Sequence, residues 1–178
     1  MKALFVALTT LTMLSCPSIA QSVGEKTGIN AMTGTSPSTE DFAKMVAVSD
    51  LFEIESSKLA QSNAQDAKVK AFAARMIKDH TETSAKLKGL VSSSKTNVEL
   101  PAALDSSHQG KLDKLKELKA SDFDKQYASD QESAHKDAIS LFERYSKGGE
   151  NADLKSFAAN TLPHLQEHLK QAQDMNNK

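Results

Sequence analysis

FDKQYASDQESAHKDAISLFERYSKGG, residues 123–149, places Phe123, Tyr127, Gln131, Ala134, Ala138, Phe142 and Tyr145 at successive steps of three or four residues. That is the period of an amphipathic helix, and Gly148-Gly149 is a stop signal. Ser121, followed three residues later by Asp124, reads as the helix start. The stripe carries one ionisable residue, His135, with Glu132 one turn before it at the stripe's edge.

The same period recurs three more times. Phe42, Met45, Val46, Ser49, Phe52, Ser56, Leu59 and Ala60 form one stripe, with Glu53 inside it. Ser38 is its expected cap, and Glu40 and Asp41 stand in the first turn, where the helix dipole favours acids. Val69, Phe72, Ala73, Met76, Ile77, Ser84, Leu87 and Val91 form a second, with His80 inside it, ending before Pro101. Leu154, Phe157, Ala158, Thr161, Leu165, Leu169 and Ala172 form the last, with His168 inside it and His164 at its edge. Pro163 frees the carbonyl of Ala159 and is expected to bend this helix, which would aim His164 inward.

Two short turns, near residues 62–65 and at Gly149, join these helices in pairs. Between the pairs, residues 103–119 carry Leu112, Leu115 and Leu118 in a weaker, highly charged helical pattern. The sequence therefore predicts an all-α chain: a four-helix bundle with a long middle crossover containing a short extra helix, as in ferritin-like bundles. The domain is expected to span residues 39–175.

The remaining chain lies at the N-terminus. One early lysine, an apolar run from Ala3 to Leu14, and Ser18 and Ala20 before Gln21 predict a signal peptide over residues 1–20. Cys16 offers the alternative of a lipid-anchored outer-membrane form. Residues 21–38, rich in glycine and small polar residues, read as a flexible tether. These features predict secretion across the inner membrane into the periplasm, with no transmembrane helix in the mature chain.

Composition excludes several functions. Cys16 is the single cysteine, so a chain cut after Ala20 has neither disulfide nor thiolate ligand. The formal charge of −1 becomes about −2 once Lys2 is removed, and positive residues alternate with acids, which argues against nucleic acid as a partner. There is no GxGxxG, P-loop, GxSxG or HExxH motif.

Glu53, His80, His135 and His168 each occupy a position that an apolar residue should hold. A buried charge costs several kcal/mol unless it is paired, so four such residues on four helices point to one cluster. At about 1.5 Å of rise per residue, Glu53 lies roughly 16 Å and His80 roughly 24 Å from the first turn. From the second turn, His135 lies roughly 21 Å, His164 roughly 22 Å, Glu132 roughly 26 Å and His168 roughly 28 Å away. All six fall near mid-height. Two readings follow: a buried hydrogen-bond network, or a site for one transition-metal ion held by Glu53, His80, His135 and His168. Zinc, iron and copper all suit three imidazoles and a carboxylate. Glu132 and His164 are candidate additional ligands, although exposure is the favoured reading of His164 and a solvated acid paired with Lys136 explains Glu132 as well.

The blocks EIESSKLA, VKAFAARMIKDH, FDKQYASDQESAH and LKSFAANTLPHLQEHL resemble an uncharacterised bacterial family of secreted proteins with a ferritin-like fold. Its members are described as a domain of unknown function or as outer-membrane proteins. The resemblance covers about residues 39–173 and implies an envelope location, with characteristic polar positions at Glu53, His80, His135 and His168. It implies no activity. Di-iron relatives of the wider fold use two Glu-x-x-His pairs; this chain has only Glu132 with His135, and Ile77 stands where His80 would need a carboxylate. A mid-bundle site enclosed by four helices is expected to give a substrate little access, so binding is favoured over catalysis. The alternative is a structural or interaction module of the envelope, without metal, that meets an envelope protein partner.

Overall fold

The structure is a computed structural model, and it describes residues 33–94, 96 and 98–177. The predicted signal peptide and the first part of the tether, residues 21–32, lie outside the described residues. Five helices and no strand are present among the described residues: α1 Thr39–Asn63, α2 Ala67–Ser93, α3 Ser106–Glu117, α4 Ala120–Gly148 and α5 Ala152–Asn176. No described helix is long and apolar enough to cross a membrane.

The helix ends follow local chemistry. Ser38 accepts a hydrogen bond from the Asp41 N–H at 3.0 Å and donates to the Asp41 carboxylate at 3.0 Å, which satisfies one of the donors the first turn leaves unpaired. Asp66, Asp105 and Asn151 cap α2, α3 and α5 in the same way. The expected cap of α4 does not form. That helix starts at Ala120, held at φ 48°, and Lys119 precedes it with no side-chain cap. Asp124 instead turns its carboxylate to the neighbouring hairpin and accepts the N–H groups of Gln65 and Asp66 at 3.1 and 2.9 Å. At the other end of α4, Gly149 sits so close to Tyr145 that a Cβ there would meet its ring at 2.6 Å. This close approach requires glycine.

Each long helix packs against two others, giving the ring α1, α2, α5, α4. Thr39 at the start of α1 reaches Tyr145 at the end of α4, while Asp124 at the start of α4 reaches the turn after α1. Arg75 early in α2 reaches Glu167 late in α5. Neighbours in the ring are therefore antiparallel, so α2 and α4 run the same way and the crossover between them must travel the length of the bundle. Residues 94–105 followed by α3, laid against α1 and α4, make that journey.

Two apolar clusters fill the ring's ends. One gathers Phe42, Phe142, Tyr145, Leu154 and Phe157, with Phe42 stacked on Tyr145 at a 3.9 Å ring separation. The other gathers Phe72, Met76, Leu115, Phe123 and Tyr127. Burial of such side chains contributes about 1.5–3 kcal/mol each. A third, smaller cluster of Phe52, Leu112 and Ala134 lies beneath α3, and between the two end clusters the buried residues include Glu53, His80, Gln131, His135 and His168.

Candidate metal centre

Helices α2, α4 and α5 bring His80, His135 and His168 into the polar middle layer. Their rings stand 5.7, 5.7 and 5.4 Å apart, centre to centre, and all three are buried. One nitrogen from each lies within 4.8 Å of the others. Phe72 presents an edge-type contact to His135 and to His168, which closes one side of the layer with an apolar ring.

One nitrogen of each ring is anchored. His80 Nδ1 meets the Asp50 carboxylate at 2.8 Å, and Ser84 donates to the other Asp50 oxygen at 3.0 Å. His135 Nδ1 meets the backbone carbonyl of Gln131 at 2.8 Å. His168 Nε2 meets Asp79 at 3.0 Å, and Arg75 ties that same Asp79 oxygen at 3.2 Å and Glu167 at 2.8 Å. A carbonyl only accepts, so the proton of neutral His135 sits on Nδ1; the carboxylates set the protons of neutral His80 and His168 in the same manner. The lone pairs then fall on His80 Nε2, His135 Nε2 and His168 Nδ1, the three ring nitrogens that are buried without a hydrogen-bond partner.

Electrostatics separates the three. Burial, then the charge on His80, pushes His135 down to about 3 and His168 down to about 4, the latter against the opposing pull of Asp79. Both are neutral near pH 7. At His80 burial also opposes the charge, but the bond to Asp50 and the charges of Asp50, Glu53 and Asp79 outweigh it and raise the imidazole above its ordinary value.

Glu53, fully inside, stands beside this group rather than within it. Its Oε1 approaches His135 from the anchored Nδ1 side at 4.0 Å, and its Oε2 has no partner. Burial pushes its carboxyl up to about 7 against the pull of His80 and Gln131. Glu132 and His164 are not brought to the cluster. Glu132 binds Lys136 and accepts from Asn176 at 2.6 Å on the bundle's outer side. His164 is exposed: α5 continues through Pro163, whose neighbour Ala159 is exposed as well, so the proline faces solvent and does not turn His164 inward.

The expected lack of access is corrected. A groove of about 770 Å³ runs between α2 and α5, and its lining includes both His80 and His168. Sequence reasoning also passed over Asp50 and Asp79, which hold two of the three imidazoles. Asp50 had a signal, since it lies three residues before Glu53 on the same face; Asp79 lies at the stripe's edge, where an acid looks solvated.

No curated protein sequence matches the chain significantly. Two solved structures share its fold. One is CopM in the Cu(II)-bound form, 16% identical over 80% of this chain and 98% of that one, with a TM-score of 0.69. The other is CopM in the Cu(I)-bound form, 15% identical over 77% and 94%, with a TM-score of 0.63. A family model matches residues 24–175, nearly the whole described helical domain, and the chain therefore belongs to the family described as domain of unknown function DUF4142.

Proposed function

We propose that this protein is a ferritin-like four-helix bundle of the cell envelope that binds one transition-metal ion through His80, His135 and His168. The observation that carries the reading is the set of three buried, partnerless ring nitrogens on rings whose other nitrogens are anchored to protein acceptors. That is the arrangement by which proteins orient imidazoles for a metal. A bond of about 2.0 Å places two tetrahedral ligands about 3.3 Å apart, so an ion would draw the rings together modestly.

Copper is the favoured ion. Imidazoles suit copper, zinc and iron alike, and the copper-bound CopM structures, which share the fold, tip the choice. Asp50, Asp79 and Glu53 supply negative charge around the ion, with Glu53 serving as a buried counter-charge next to His135 rather than as a first ligand. The signal-like residues 1–20 support the envelope location and a periplasmic site of action, with the 21–38 segment as tether.

The test is the metal content of untagged residues 21–178 after incubation with copper, zinc or iron and desalting. About one copper per chain is expected, abolished in His135→Ala and in His168→Ala while helix content by circular dichroism is kept. Far less than one equivalent of every metal would return the histidines to a plain core network and favour the structural or interaction module.

A further inference from the structure

The two hairpins of the bundle do not close evenly. Along the α2–α5 face the groove of about 770 Å³ opens to the exterior, room for on the order of twenty waters at about 30 Å³ each, hence for an ion with its hydration shell. At its floor lie His80 and His168, 5% and 2% exposed, each carrying a ring nitrogen without a partner. At its sides lie Asp79, Glu82 and Asp153 against Lys86; Lys86 pairs with Glu82 at 2.8 Å and Arg75 with Asp79 at 3.2 Å, so the acidic excess of the lining rests on Asp153. Exposed His164 stands on the same wall, one helical turn before His168.

From this arrangement we propose that the α2–α5 groove is the loading and release route for the metal cation, with His164 as its first imidazole. The inference rests on the metal reading above. A cleft with an acidic excess and low-dielectric walls favours cations at its mouth. Residues four apart on a helix are neighbours on its surface, so an ion held by His164 in the groove is one turn from His168, and His80 faces it from the opposite wall. Transfer inward exchanges one ligand at a time, and the ion never has to shed all its water at once. His135 does not line the groove, so it is the last ligand to be made and the first to be lost on release.

The experiment is stopped-flow loading with Cu(II), followed by the copper absorption band, and chelator-driven unloading of the filled protein. Gly89 lines the groove, and a Cβ built there meets nothing within 4 Å; Gly89→Trp therefore places a ring in the passage and adds helix propensity. Gly110 on α3 has equally free surroundings and does not line the groove, so Gly110→Trp is the control. Gly89→Trp is expected to slow both loading and unloading at least tenfold, and His164→Ala to slow loading severalfold. In both, the final copper content stays near one per chain, and Gly110→Trp keeps the unmodified rates. Loading as fast in Gly89→Trp and His164→Ala as in the unmodified protein overturns the route while leaving the metal site standing. An unmodified protein that takes up no copper at equilibrium overturns both.

Discussion

Asp50 on α1 holds His80 on α2 through a 2.8 Å hydrogen bond between two buried side chains, the closest carboxylate–imidazole contact in the polar layer. Asp50→Asn keeps an acceptor of the same shape but removes the charge that orients and enriches the ring. Losing such a partner typically costs about 10–100-fold in metal affinity. Copper Kd measured by competition is expected to rise by that factor, with helix content unchanged. An unaltered Kd would mean that His80 is not a ligand.

Proton competition follows from the three imidazoles. His135 and His168, at about 3 and about 4, carry no proton near pH 7, whereas the bond to Asp50 raises His80 above its ordinary value, so it keeps its proton to higher pH than a free imidazole. Below the ordinary imidazole value His80 must give up its proton as the ion binds, and Glu53, at about 7, gives up a second as it becomes the counter-charge, so affinity should weaken about ten- to a hundredfold per pH unit between about pH 6 and pH 5. Kd measured across that range reads the slope. A slope of three or more protons would contradict the assignment of the neutral rings.

Glu53 makes a pH-dependent contribution of its own in the metal-free protein. Its folded value of about 7 lies above the ordinary 4.5, so between those values the folded state binds the proton and the unfolded state does not. Stability from this group is full below about 4.5 and is lost as pH rises through about 7, on the order of 3 kcal/mol in all. Glu53→Gln, which cannot ionise, should melt higher than the unmodified protein at about pH 8 and lose that advantage near pH 5. Equal melting differences at both values would show that Glu53 does not titrate there.

Asp124 ties the start of α4 to the turn between α1 and α2 by accepting two backbone N–H groups. In Asp124→Ala those donors lose their partner, at a cost of about 1–2 kcal/mol. Urea unfolding should show an earlier midpoint with an unchanged slope. At the same junction, Ala120 adopts φ 48°, a left-handed conformation that costs an L-residue about 1–2 kcal/mol. Ala120→Gly should move the urea midpoint later, and a shift to earlier midpoint would show that the strain is not real.

The helices were legible because each stripe repeats a single period over more than twenty residues, and because Ser38, Pro101 and Gly149 punctuate it. The crossover was legible from its length. The start of α4 was not, since Ser121 and Asp124 have the right spacing for a cap but Asp124 finds two donors on another hairpin, a tertiary contact that local spacing does not encode. His80, His135 and His168 stood out as polar interruptions of apolar stripes, and helical rise alone brought them to one level. Height does not fix azimuth: Glu132 points away, His164 stands exposed on the groove wall outside the cluster, and Glu53 is inside but reaches His135 from its anchored side. The supporting acids were harder still, because an Asp at the edge of a stripe looks the same whether it faces water or a histidine. The groove depends on how closely α2 and α5 approach, and no residue pattern reports that distance.

His80 belongs to the first hairpin, whereas His135 and His168 belong to the second. An ion shared by the three would fasten together halves of the chain otherwise joined by packing, a few polar contacts such as Asp124 with Gln65 and Asp66, and a single crossover, in a sequence whose only cysteine is Cys16. It would act as a removable cross-link, stabilising the folded state by mass action because the three imidazoles converge only there. The filled protein would then unfold as one unit, whereas the empty protein could part its hairpins along the α2–α5 face. Metal supply would thereby set how long the folded chain survives proteolysis, a form of durability written into three side chains rather than into the apolar core.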